Sequence, residues 1–220
     1  MNAVCLMSGG LDSFVAAAVA REAGHTLHAL TVDYGQRHRK EIRSARKIAS
    51  FLNVKEHKLI RFDLSWLPSA LTSDDAQIPA DETPEEIPPT YVPARNTILI
   101  SLALAYAESA DAGMIFLGVN SRDYSGYPDC RPEYLAAFQQ LVSLATKKTV
   151  GGNPIVLEAP LISLRKSEII LLGLRLGLDF SLSWSCYRGG RKACGRCPSC
   201  RIRLKGFEEA GVKDPVAYVI

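Results

Sequence analysis

Two stretches of this 220-residue chain carry side chains at spacings that can do chemistry. The first is Ser8-Gly9-Gly10-Leu11-Asp12-Ser13, which follows the apolar Val4, Leu6 and Met7 and runs into Phe14-Val15-Ala16-Ala17-Ala18-Val19-Ala20. That order predicts a strand, a glycine turn and a helix. Adjacent glycines let main-chain N–H groups turn toward an anion, and the helix adds its positive N-terminal end. Ser8 and Ser13 supply further donors, and Asp12 suits a metal or a helix cap. An ordinary strand-to-helix turn would explain "SGG" alone, but not doubled glycines and doubled hydroxyls together. No Gly-Lys-Ser/Thr follows, so this is not a Walker A loop. Residues 8–13 are therefore read as a nucleotide-phosphate site.

The second stretch is Cys186, Cys194, Cys197 and Cys200. Two-residue gaps let successive sulfurs converge on one ion, and four thiolates form a closed tetrahedral zinc site. An iron–sulfur cluster is the rival reading, because a C-x2-C-x2-C run also holds clusters. Having the fourth cysteine upstream, at Cys186, favours zinc. From Phe180 to Phe207 there is no acid, while Arg188, Arg191, Lys192, Arg196, Arg201, Arg203 and Lys205 are basic. That bias offsets the charge of four thiolates without calling on nucleic acid. Cys5 falls in a predicted strand and Cys130 in a loop.

Composition sets the frame for both. A net charge of +3 is too small to require a nucleic-acid partner, although Arg37 to Lys47 forms a second basic cluster. No apolar run is long enough to span a membrane. The N-terminus lacks a basic leader and Asp12 interrupts its apolar run, so it does not read as an export signal. Six cysteines without such a signal point to a reducing compartment, where thiols bind metal or catalyse rather than cross-link. The expectation is a cytoplasmic protein.

The elements that must position these residues follow from periodicity. Strands are expected at His25–Asp33, Val54–Phe62, Met114–Val119 and Ile155–Glu158, after the first one. Helices are expected at Arg39–Leu52, Arg95–Ala110, Glu133–Thr146 and Arg165–Leu176. Ser73–Pro93, rich in proline and acids, reads as a long loop or lid. Strand and helix in alternation predict an α/β fold, a doubly wound, mainly parallel sheet. Residues 1–180 would form the nucleotide-binding domain, and 181–220 a small zinc-binding subdomain packed into the same globule.

Ligands of open parallel sheets bind beyond the carboxyl ends of the strands. The loops there hold Tyr34, Gln36, Arg37, Asp123, Tyr127, Asp129 and Arg131, with Lys166 a little further on. Tyrosines to stack, carboxylates for an amidine edge and cations for an acid suit a planar, purine-like carboxylate. Taken singly, each tyrosine is better read as covering a helix end.

The opening loop resembles that of the ATP pyrophosphatases, the PP-loop family that adenylates substrates and releases pyrophosphate. DYGQRHRKE (Asp33–Glu41), VPARNT (Val92–Thr97), DYSGYPDCRPEY (Asp123–Tyr134), APL (Ala159–Leu161) with Lys166-Ser167-Glu168, and CYRGG…CGRCPSC together resemble the 7-cyano-7-deazaguanine synthases. These are ligases of queuosine precursor biosynthesis. Phe14 departs from the small hydroxyl residue that many relatives carry there.

The resemblance implies conversion of 7-carboxy-7-deazaguanine and ammonia to a nitrile with ATP and Mg2+. It implies that Ser8, Gly9, Gly10, Leu11, Asp12 and Ser13 bind ATP, with Asp12, Lys166 and Arg95 catalytic. Tyr34, Gln36, Arg37, Asp123, Tyr127, Asp129 and Arg131 would bind substrate, and one Zn2+ would sit on the four cysteines. A homodimer with no nucleic-acid partner is also implied. Two other readings share the loop: a tRNA-modifying adenylating enzyme of the thiolation or lysidine type, and a non-catalytic nucleotide-binding adaptor.

Overall fold

The structure, a computed structural model, describes residues 1–37, 39–72, 87–122 and 127–219. Its centre is β1 (Asn2–Leu6), flanked by β2 (Thr26–Asp33) and β3 (Glu56–Arg61) on one side and by β4 (Met114–Phe116) and β5 (Val156–Glu158) on the other. The order is β3-β2-β1-β4-β5, and every pairing is parallel. Cys5, for example, lies between Ala29 and Phe116.

A strand alternates its side chains between faces, so β1 and β2 feed two cores. Ala3, Cys5, Met7, Leu27 and Ala29 enter the first, packed against α1 (Leu11–Glu22), α2 (Lys40–Phe51) and α6 (Lys166–Arg175). Val4, Leu30 and Val32 enter the second, under α3 (Arg95–Ser109) and α4 (Pro132–Ala145). Helices on both faces make the sheet doubly wound, as expected. Chain order reverses between β1 and β4, which places a crevice at their carboxyl ends.

Phe14, the unusual residue after the loop, is wholly buried and meets Phe51 and Phe180 edge-on, with ring centroids 5.7 and 6.3 Å away. It belongs to the first core, not to the phosphate side of the loop.

Differences from the sequence reading are local. Helix α4 stops at Ala145, because Thr146 turns extended and caps the short α5 (Lys147–Val150) through the Thr149 N–H. Strand β4 ends at Phe116, and residues 117–119 turn into a cavity wall. Periodicity predicts no helix in the last forty residues, yet α7 (Pro198–Glu209) is there, with Pro198 in its first turn. It packs on α6 and sends Phe207 into the first core. Residues 73–86 of the expected lid lie outside the described residues; its last part is packed down, with Thr90 and Val92 buried.

Candidate functional site

The loop after β1 is shaped by its own hydroxyls. Ser8 Oγ accepts from the Gly10 N–H at 3.2 Å and lies 3.0 Å from Ser13 Oγ, which donates to the Gly10 carbonyl at 3.0 Å. Gly9 has φ +92°, and a Cβ there would run into the Glu41 carbonyl, so the turn requires glycine. No side chain caps the start of α1. Its first N–H groups therefore lie at the crevice with the helix dipole behind them, an arrangement that favours an anion. The Gly9 carbonyl, in turn, is held by the Trp184 N–H at 2.9 Å.

Behind the loop stands Lys166, whose Nζ is 2.6 Å from Asp12 Oδ1. Asp12 is on the wall of a cavity of about 250 Å³. Arg95, at the N-terminus of α3, lines the same cavity and donates to the Tyr34 hydroxyl at 3.2 Å. Burial pushes its guanidinium down, but Tyr34, Tyr127 and Tyr187 outweigh it, and the group is held above its ordinary range. Thus Asp12 and Arg95 line one cavity, with Lys166 paired to Asp12 behind its wall.

All six residues of the expected phosphate loop except Gly9 line the cavity, as do Tyr34, Gln36 and Tyr127. Gln36 Oε1 accepts from the Tyr34 N–H at 2.9 Å. Tyr127 shares a hydrogen bond with Thr90 Oγ1 at 2.6 Å and stacks obliquely on Tyr91. Three other expected substrate residues are placed elsewhere. Asp129 is not on the wall; its carboxylate accepts the Asn96 N–H at 3.0 Å and so caps α3 from a distance. Arg131 is exposed and pairs with Glu133 at 3.4 Å. Arg37 reaches the Ala70 carbonyl at 3.5 Å, away from the cavity. Asp123 lies outside the described residues.

Several wall residues were not singled out in the sequence. Glu41 is one, and burial pushes its carboxyl up to about 8 against the opposing pull of Arg95. Asn120 bonds the Leu161 and Leu164 carbonyls at 2.8 and 2.6 Å, tying the β4 loop to the chain after β5. Trp184, Ser185, Tyr187 and Ser199 arrive from the cysteine-rich segment. Only their closeness to Cys186 and Cys200 in the sequence signalled them. Cys130 also lines the cavity; burial raises its thiol to about 11, and Asn96 Nδ2 donates to its sulfur at 3.2 Å.

The sulfurs of Cys186, Cys194, Cys197 and Cys200 all lie within 4.8 Å of one another, close enough to bind one metal ion. Main-chain N–H groups point at them: Arg188 and Cys194 donate to Cys186 Sγ at 3.4 and 3.3 Å, and Arg196 and Cys197 to Cys194 Sγ at 3.4 and 3.3 Å. Donors of this kind favour thiolate, the form that ligates a metal. Lys40 clamps the module to α2, bonding the Gly190 and Arg191 carbonyls at 2.9 and 2.8 Å and lying 3.4 Å above the Trp184 ring. The donor set and its hydrogen bonds fit a tetrahedral ion.

A parallel sheet with a hydroxyl-bearing glycine loop at its switch point, with Arg95 on the same cavity wall and Lys166 behind the loop, is the PP-loop fold. The profile of the queuosine biosynthesis protein QueC family matches residues 2–211, and the chain belongs to that family. A Saccharophagus degradans protein named 7-cyano-7-deazaguanine synthase is 53% identical over 220 residues, covering 99% of this chain and 97% of its own. A Coxiella burnetii protein of the same name is 51% identical over 221 residues, covering 99% and 98%. Among solved structures, a 4-thiouridine synthetase bound to RNA and ATP superposes with a TM-score of 0.52 at 16% identity, covering 96% of this chain and 53% of that one. That likeness concerns the fold.

Proposed function

We propose that this protein converts 7-carboxy-7-deazaguanine, ammonia and ATP to 7-cyano-7-deazaguanine. The observation that carries the reading is a single cavity lined both by the phosphate loop and by Tyr34, Gln36 and Tyr127. Nucleotide and planar substrate would then meet in one site. Family membership supplies the identity of the substrate.

The carboxylate is a poor electrophile, because its oxygen is a poor leaving group. Its oxygen attacks the α-phosphorus of ATP, the bond to the β-phosphate oxygen breaks, and pyrophosphate leaves. The Ser8–Ser13 loop holds that pyrophosphate, while Arg95 and Lys166 stabilise charge growing on the phosphates. Ammonia then displaces AMP to give the amide. A second activation on the amide oxygen lets elimination give the nitrile. Mg2+ bound with ATP would neutralise phosphate charge, with Asp12 the carboxylate nearest to hold it. Zn2+ on the four cysteines would fix the wall that Trp184 and Tyr187 present. The protein would work as a homodimer, and tRNA has no part in this reading.

The test is direct. Protein supplied with 7-carboxy-7-deazaguanine, ATP, Mg2+ and ammonium should yield the nitrile by mass spectrometry, with pyrophosphate released. No nitrile and no amide would refute the reading.

A further inference from the structure

The proposed chemistry has a proton problem that adenylation does not solve. Near neutral pH the nitrogen donor is mostly ammonium, which has no lone pair to offer. The amide later has to shed both N–H hydrogens to become a nitrile. The cavity wall therefore needs a base.

Among the described residues lining the cavity, only Asp12 and Glu41 carry carboxyl groups. Asp12 is engaged by Lys166 at 2.6 Å. The Cys130 thiol is buried and bonded by Asn96. The phenols of Tyr34 and Tyr127 are taken up by Arg95 and Thr90. The Glu41 carboxyl, by contrast, has neither a hydrogen-bond nor an ion-pair partner among the described residues. It stands in the first turn of α2, with its main-chain carbonyl packed against Gly9, so it is fixed relative to the phosphate loop. Its carboxyl is within electrostatic reach of Arg95 and Tyr34, which face the same space.

We propose that Glu41 is the base of the amination step, taking a proton from the incoming ammonium beside the phosphate loop. This role rests on the adenylation reading. With Glu41 in its ionised form, an ammonium N–H bond breaks, its electron pair stays on nitrogen, and the proton goes to a Glu41 carboxylate oxygen. The nitrogen pair forms the new C–N bond to the acyl carbon. The bond from that carbon to the phosphate-bearing oxygen breaks, and AMP leaves with those electrons. One surplus proton on the adduct nitrogen is taken by the departing phosphate.

Hydroxylamine separates this role from the rest, because it is unprotonated at neutral pH and needs no base before attack. Three assays are run on the metal-loaded protein: pyrophosphate exchange without a nitrogen donor, hydroxamate formation with hydroxylamine, and nitrile formation with ammonium. In Glu41→Gln, exchange and hydroxamate formation should stay within about threefold of wild type, while amide and nitrile formation fall about 10²-fold or more. Glu41→Asp, with its carboxylate one methylene back, should show a smaller amination defect and unchanged exchange. It serves as the readout if the glutamine variant does not fold. Wild-type nitrile formation in Glu41→Gln, or an equal loss with hydroxylamine, would overturn the role. Wild-type protein lacking exchange would instead refute the adenylation reading, and this role with it.

Discussion

Lys166 Nζ and Asp12 Oδ1 lie 2.6 Å apart, joining the first turn of α6 to the first turn of α1 with side chains only 8% and 18% exposed. Removing one member of a buried pair strands the other, at a cost of about 3–5 kcal/mol when burial is complete. Asp12→Ala strands the more buried lysine, so it should destabilise more than Lys166→Ala, by urea denaturation. The double variant should be more stable than Asp12→Ala alone. All three should lose pyrophosphate exchange by about 10²-fold or more, since the positive charge next to the phosphates is lost or misplaced.

Gly206 on α7 decides where Lys166 lies. A Cβ there would run into Lys166 Cγ and crowd Ile170 Cδ1 at 3.1 Å. Gly206→Ala gains about 0.5–1 kcal/mol of helix propensity and loses about 1–3 kcal/mol to overpacking, so it should destabilise by up to about 2.5 kcal/mol. Activity should fall about 10-fold, the 1.4 kcal/mol scale of a displaced ammonium. Because the effect runs through Lys166, adding Gly206→Ala to Lys166→Ala should cost no further activity. An additive loss would show that Gly206 acts by another route.

The sheet and its helices were legible because strand and helix periodicities do not depend on partners. The turn between β1 and α1 was legible because two glycines between an apolar run and an alanine-rich stretch have few other uses. The bond from the Asn96 N–H to Asp129 was not, since a carboxylate beside a tyrosine-rich loop carries no sign of the helix end it meets in the fold. Glu41 reads only as the last residue of DYGQRHRKE, because it sits among the basic residues of an amphipathic helix, and only the fold brings it to the cavity wall. α7 was hidden by its own cysteines and arginines, which leave a weak apolar stripe. Its helical state depends on packing against α6 and on Phe207 entering the first core.

Two buried thiols should make the protein sensitive to alkali. Burial raises Cys5 from 9.0 to about 12 and Cys130 from 9.0 to about 11. Folded-state values above the unfolded ones mean that the unfolded chain binds fewer protons above about pH 9, so unfolding gains there. Their stabilising contribution is complete below pH 9 and is lost as pH rises toward 11 and 12. The melting temperature should fall across that window, and Cys5→Ala with Cys130→Ala should flatten the fall. Cys130 in the native protein should also resist iodoacetamide at neutral pH.

Arg203 and Asp214 tie α7 to the segment before Cys186, which meets the Ser8–Ser13 loop through Trp184. They are bonded twice, at 2.7 and 3.0 Å, with side chains 3% and 4% exposed. Arg203 also donates to Ser183 Oγ at 2.8 Å and the Phe180 carbonyl at 3.1 Å, fixing the segment that leads into Trp184 and Cys186. Tyr218 closes the network from the chain end, donating to Asp214 at 2.5 Å. Asp214→Asn leaves a buried guanidinium without its counter-charge. It should cost about 3–5 kcal/mol, a fall in melting temperature on the order of 10 °C. High salt should not mimic the variant, because a buried pair is poorly screened. The four cysteines are untouched, so metal content by elemental analysis should stay unchanged. Nucleotide affinity should weaken severalfold by calorimetry, because Trp184 then holds the Gly9 carbonyl less firmly. Unchanged affinity in a destabilised Asp214→Asn protein would separate the Arg203–Asp214 pair from the phosphate loop.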